Sequence, residues 1–291
     1  MNTKNLLNRR VVDMDKMNVD FEVEAQECNK GMGLVELPSN HVFGDSSPIF
    51  EEVFREKVIP RNEWDAMYDE IQPNYSRMKT WQYNQRNEGT CTANAMGGTM
   101  SYAYNRQFGL SVAPCPTTMY RHCGRSANSG SSTVCILKRA RDHGTLLIDH
   151  EQSKDLLRQL KLDPTHVAPA TGWNAHIPRG SMEETAIHFR IDEFYEISTI
   201  DGFFSALLHG FGILYGRSGH AIHGVDIVKR SGKWTCKYDN SWGNWGDNGF
   251  GYDSIDYLKR TNASRYGAFA VQTMVSPKGL GDVINAPVPQ V

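Results

Sequence analysis

The chain has 291 residues and a mass of 32.8 kDa, enough for one large domain or two modest ones, which excludes mini-protein scaffolds. Apolar residues make up 40% and charged residues 22%, an ordinary globular balance, and six cysteines are far too few for a disulfide scaffold, which needs roughly 8–10%. With 31 Lys and Arg against 33 Asp and Glu, a net charge of −2, and no long block of like charge, the chain lacks the basic footprint of a nucleic-acid-binding protein.

Along the chain, Met1–Arg10 carries Lys4, Arg9 and Arg10 but runs into Val11-Val12-Asp13-Met14-Asp15 rather than an apolar core, so no secretory signal is readable. The most apolar stretch, Phe203–Tyr215, is 13 residues long and interrupted by His209, short of the roughly 18 that a membrane span requires. No membrane partner is expected, and the chain is assigned to the cytoplasm or to an assembly. Residues 1–58 carry 7 basic against 11 acidic side chains and form an acidic extension, read as an arm packed on the main body. Phe50, Val53 and Phe54 at helical spacing precede a stop at Ile59-Pro60. Helical patterns follow over Thr90–Phe108, Ser132–Asp142 and Gln152–Leu162. From about Ala186 the pattern turns to strands: Ile187–Ile191, Phe211–Tyr215, Gly224–Val228, Trp234–Asp239 and Phe269–Met274. A helical half at 59–165 followed by a sheet half at 166–275 predicts an α+β fold with two lobes. Ser276-Pro277-Lys278-Gly279 and Pro287-Val288-Pro289 mark 276–291 as a tail.

The sheet half contains a site-building hairpin. Ser231-Gly232 between two strand-like runs is a two-residue loop, so cross-strand partners have numbers that sum to 463. That register sets Asp226 opposite Lys237, Ile227 opposite Cys236, Val225 opposite Tyr238 and His223 opposite Asn240. An imidazole held by an amide oxygen is half of a nucleophilic constellation, and the other half is a nucleophile upstream. Cys91 fits: it follows the polar loop Gln85–Thr90 at the start of a helical pattern, where the positive end of the helix dipole favours a thiolate. His220 is the rival for the base, and the hairpin register together with the apolar run after His223 favours the latter.

Together these residues resemble the papain-like cysteine peptidases. Gln85 with Cys91 six residues later is similar to that family's glutamine and nucleophile, His223-Gly224-Val225 to its histidine strand, and Asn240-Ser241-Trp242-Gly243 with Trp245-Gly246-Asp247-Asn248-Gly249-Phe250 to its asparagine block. His223 and Asn240 follow Cys91 at the intervals of about 130–150 residues usual there. The resemblance implies a two-lobed fold, the helical lobe carrying the nucleophile and an antiparallel, barrel-like lobe carrying His and Asn. It further implies peptide-bond hydrolysis through a thioester with no metal or cofactor, a peptide or protein substrate, catalytic roles for Cys91, His223, Asn240 and Gln85, and substrate contacts at Gly130, Ser131 and Trp242. Glu88 and Thr92 stand where the family has Cys and Trp, and Gln72–Met78 looks like an insertion. Residues 1–58 show none of the family's usual long helical prosegment.

These departures keep two alternatives in view: a structural or binding component of a larger assembly such as a virion, joined through residues 1–58 and the C-terminal tail, and an acyl transferase using the same trio. Among the remaining cysteines, Cys236 is expected in the core and Cys28 is unplaced. Cys115, Cys123 and Cys135 lie where the family often has disulfides, with no pairing readable, and their spacing with His122 lacks a zinc knuckle.

Overall fold

The computed structural model describes residues 17–71, 73–79, 81–164, 179–260 and 266–274. The tail from Ser276 and the N-terminal Met1–Arg10 lie outside these residues, and so does part of the insertion at Gln72. The arm supplies α1 (Phe21–Glu27) and α2 (Phe50–Val53), and α3 (Trp64–Ile71) follows. Then come α4 (Cys91–Phe108), α5 (Pro116–Cys123), α6 (Thr133–Asp142) and α7 (Glu151–Gln159), all within 59–165, and α8 (Arg179–Ala186). The remainder runs β1 (Ile191–Glu196), α9 (Ile200–Leu208), β2 (Gly212–Arg217), β3 (His220–Arg230), β4 (Lys233–Asp239), β5 (Phe250–Ser254), α10 (Ile255–Arg260) and β6 (Ala268–Met274).

Among the described residues, six strands form one antiparallel sheet in the order β1-β6-β2-β3-β4-β5. Successive side chains point to opposite faces, and both faces are apolar. Leu214, Ala221, Phe269 and Val271 pack with Cys91, Met96, Met100 and Tyr104 of α4, while Ile213, Tyr215, Ile222 and Ala270 pack with Phe203, Phe204, Leu207 and Leu208 of α9. The sheet is thus sandwiched, with α4 bringing its first residue to the sheet's β2–β3 end. Gly97 and Gly98 let α4 approach closely: a Cβ on Gly98 would press on the His223 ring and the Asp239 carboxylate. The arm contributes to the core as well, with Phe21 and Phe50 buried on the α9 side and Leu34 on the α4 side.

The expected strand over Ile187–Ile191 is corrected. Backbone bonds from Ile187 to Glu183 and from Phe189 to Ala186 continue the turn of α8, and pairing begins only at Ile191. Cys123 in the last turn of α5 and Cys135 in the first turn of α6 are disulfide-bonded, while Cys115 and Cys236 are buried free thiols. Among the described residues no helix is long and apolar enough to cross a membrane.

Candidate active site

The loop at Ser231-Gly232 has positive φ at both residues, 49° and 73°, the backbone of a type I′ hairpin. From it the pairing runs as the sequence predicts, Arg230 with Lys233 through Ile227 with Cys236 and Asp226 with Lys237. The register then slips between Gly224 and Asp226, where Val225 forms a bulge, so that Gly224 rather than Val225 faces Tyr238, and His223 faces Asp239, not Asn240. The expected His223–Asn240 pair is therefore corrected: His220 holds the amide, its Nε2 lying 2.9 Å from Asn240 Oδ1. His223 points instead at α4, beside Gly98, Gly212 and Tyr102, and neither of its ring nitrogens has a partner among the described residues.

Cys91 opens α4, after Thr90 as N-cap. Its thiol is fully buried, and burial pushes its pKa up to about 11, opposed by backbone hydrogen bonds from Ala221, Gly33, Thr92 and Cys91 itself. Cys91 packs in the core with Ala221, the residue after His220, and so lies beside the histidine strand. His220 is equally buried and is pushed down to about 3, chiefly by burial and further by the Arg217 guanidinium, against the raising effect of Asn240. Its Nδ1 has no partner among the described residues. Trp242 covers the ring at 4.9 Å between centroids, and Phe21 of the arm meets it edge-on at 4.5 Å. In this arrangement thiol and imidazole are both neutral at neutral pH.

Gln85 is fixed by its neighbours. Its backbone N–H donates to the Ser241 carbonyl at 2.8 Å, its Oε1 accepts from the Ser241 hydroxyl at 2.5 Å, and its Nε2 donates to the carbonyls of Glu88 and Gly31, both at 2.8 Å. The Gly31 bond comes from the arm, as do contacts at the expected substrate-binding positions Gly130 and Ser131. Ser131 N–H donates to the Gly33 carbonyl and the Ser131 carbonyl accepts from Val35 N–H, so that Leu34 pairs with Ser131 in parallel, next to Gly130 at φ 73°. Leu34 N–H donates to Gly219, and the Leu34 side chain lies against Gly216 and packs in the core with Cys91, Met119 and Ala221. Residues 31–35 thus lie across Cys91 and Gln85 and cover them. Glycine is required there: a Cβ on Gly31 would overlap the Glu88 carbonyl, and one on Gly33 the Gly89 carbonyl. The Gly31-x-Gly33 spacing was a readable sign of close backbone approach, though its partner was not.

His223 supports a pH prediction. Burial pushes it down to about 3, with Lys79 acting in the same direction. An unfolded histidine titrates near 6.5, so the unfolded chain takes up the proton first; the stability this group contributes is complete above pH 6.5 and is lost as pH falls toward 3. In His223→Met the contribution is absent while Lys79, Asp239 and Tyr102 around it remain. Urea unfolding between pH 6.5 and 4 is expected to give a wild-type slope steeper than the variant's by about one proton, ~1.4 kcal/mol per pH unit. Equal slopes would show that His223 is charged in the folded protein.

No protein-family model matches the sequence, and no curated protein matches it. Solved structures do match the fold. Xylellain, a cysteine protease from Xylella fastidiosa, superposes with a TM-score of 0.55 at 16% identity, covering 84% of this chain and 97% of its own. The digestive procathepsin L2 proteinase from Tenebrio molitor larval midgut gives 0.56 at 12% identity over 85% and 79% of the two chains, and the bromelain protease from Ananas comosus 0.52 at 12% over 69% and 98%. The fold is that of papain-like cysteine proteases: a helical lobe and an antiparallel, unclosed sheet lobe.

Proposed function

We propose that the chain is a cysteine peptidase whose working groups are Cys91, His220, Asn240 and Gln85, held here in a covered state. The observation that carries the reading is the bond from His220 Nε2 to Asn240 Oδ1, which leaves Nδ1 without a partner on a strand whose next residue, Ala221, packs in the core with Cys91. With residues 31–35 displaced and solvent admitted, the burial that keeps thiol and imidazole neutral is relieved, and the proton of Cys91 passes to His220. The thiolate forms a bond to a peptide carbonyl carbon as the carbonyl electron pair moves onto oxygen. That oxygen takes the place of the Gly31 carbonyl at Gln85 Nε2, with the Cys91 N–H as second donor. Collapse expels the amine, which receives the proton from His220, and water deprotonated by the same imidazole hydrolyses the thioester and restores the thiol. Asn240 keeps the ring oriented, and Trp242 shields that bond from water.

Labelling of the full chain with a thiol-directed epoxide tests this reading, using Gly33→Ala to lift the covering residues. The label is expected on Cys91 in Gly33→Ala, slowly in the wild type, and not at all in Gly33→Ala/Cys91→Ala, with peptide hydrolysis following the same order. A folded Gly33→Ala protein that neither labels at Cys91 nor cleaves any member of a peptide library would sink the proposal.

A further inference from the structure

The backbone that pairs with residues 33–35 has no strand behind it. Ser131 is an isolated bridge residue: its N–H donates to the Gly33 carbonyl at 2.8 Å and its carbonyl accepts from Val35 N–H at 3.0 Å, so both of its pairing groups face the cleft. Inside a sheet a second neighbouring strand would hold such a residue in register, and here other bonds do so. On one side Gly130 turns at φ 73° and gives its N–H to the Tyr120 hydroxyl at 2.9 Å. On the other, Ser132 caps α6 by accepting from Cys135 N–H at 3.2 Å. Both of these ties run to α5 and α6, not to the helix that carries Cys91. The Ser131 side chain makes that connection. Its Oγ lies 2.6 Å from Thr92 Oγ1, one hydroxyl donating to the other, with Thr92 fully buried and Ser131 nearly so. Thr92 is the second residue of α4, directly after Cys91.

We propose that Thr92 is a positioning residue for substrate: its hydroxyl, bonded to that of Ser131, fixes the one backbone pair against which an extended peptide aligns, and so sets the distance of the scissile carbonyl from Cys91. The proposal rests on the reading of Cys91 as the nucleophile. A peptide that pairs as a strand with a single residue takes its register and its depth from that residue. Because Thr92 ties Ser131 to the turn that begins with Cys91, the sulfur and the groups that hold the substrate belong to one rigid unit. Without the Thr92 hydroxyl, Ser131 Oγ is left buried and unpaired, a state relieved by moving the loop toward solvent, and Gly130, lacking a Cβ, permits that movement. The threonine that stands where the resembled family has tryptophan thus supplies a hydroxyl where an indole has none. The rival role for Thr92 is on the thiol, since its backbone N–H is among those that oppose the rise in the Cys91 pKa. That N–H survives any change of the side chain, so the two roles are separable.

The test uses the full chain with Gly33→Ala as parent and reads both peptide hydrolysis and the rate of Cys91 alkylation by mass spectrometry. Thr92→Val keeps the shape and loses the hydroxyl, and is expected to raise KM about tenfold with kcat within about twofold of the parent. It is also expected to slow alkylation by a peptidyl epoxide about tenfold, while iodoacetamide, too small to engage Ser131, reacts at the parental rate. Thr92→Ser, which restores the hydroxyl, is expected to bring both measurements back to within about twofold of the parent. Ser131→Ala removes the same bond from the other side and takes the place of Thr92→Val if that variant does not fold. Combined with Thr92→Val it should cost no more than either change alone. Parental KM and epoxide rate in Thr92→Val overturn the assignment, and so does equal slowing of both reagents, which would put the effect on the thiol. A parent that takes both reagents at Cys91 but hydrolyses no peptide counts against the peptidase reading and still decides the role of Thr92. A folded parent inert to both reagents overturns the two together.

Discussion

In the Gly33→Ala background, His220→Ala is expected to lower kcat/KM for peptide hydrolysis by about three orders of magnitude, the scale of a general acid–base group together with its activation of the thiolate, while His223→Ala stays within a few-fold of its parent. The two residues share a strand, are both buried and are both held neutral, so neither burial nor charge separates them. Geometry does. His220 has Asn240 on one nitrogen, Trp242 over its face and, as the next residue on its strand, Ala221 packed with Cys91, whereas His223 faces α4 at Gly98, seven residues along the helix from Cys91. The pH dependence separates the variants further: His223→Ala should keep the acid limb of the wild-type profile, and the residual activity of His220→Ala should rise with thiolate concentration instead of following an imidazolium. Equal losses in the two variants would leave the assignment of His220 without support.

How the two histidines exchange places shows what the sequence carries and what it does not. The loop at Ser231-Gly232 and the charge match of Asp226 with Lys237 are local, and the register derived from them holds for every pair up to that point. One bulged residue, Val225, then moves all later pairings by one and swaps which face each side chain takes. A glycine inside a strand pattern is the usual mark of such a bulge, and Gly224 stands there, between the predicted register and the observed one. Cys91, Gln85 and Asn240 could be singled out as candidates because a cysteine at a helix start, an amide six residues earlier and an Asn-Ser-Trp-Gly block are short patterns. The arm was not. Its acidic composition suggested a packed extension, but Leu34 meeting Gly216 and Val19 meeting Arg217 are contacts across about 180 and 200 positions, set by tertiary packing alone. The Cys123–Cys135 bond is similarly a consequence of where α5 ends and α6 begins, which spacing among three candidate cysteines could not fix.

Arg217→Met is expected to destabilise the folded chain by about 3–5 kcal/mol at pH 7, measured by urea unfolding, because it strands a buried carboxylate. Arg217 and Asp253 are both without solvent exposure, and the guanidinium is held above its ordinary pKa range because the attraction of Asp253 outweighs the opposing effect of burial. Its remaining donors reach the Val19 carbonyl and the hydroxyls of Tyr257 and Tyr238, while Asp253 also accepts from the Tyr215 hydroxyl at 2.9 Å. With methionine in place, the apolar surface toward Phe21 is largely kept, but Asp253 retains only the tyrosine donor and its pKa rises. A carboxyl whose folded pKa lies above its unfolded value contributes stability that is present below the unfolded value and lost as pH rises through the folded one. The cost of Arg217→Met is therefore expected to be smaller at pH 4.5 than at pH 7, and Arg217→Met/Asp253→Leu, which removes both charges, should recover much of the loss at neutral pH. If the double variant is no more stable than Arg217→Met, the cost lies in the lost bonds to Val19 and the tyrosines rather than in the stranded charge. The pair would then act mainly as a clamp on the arm.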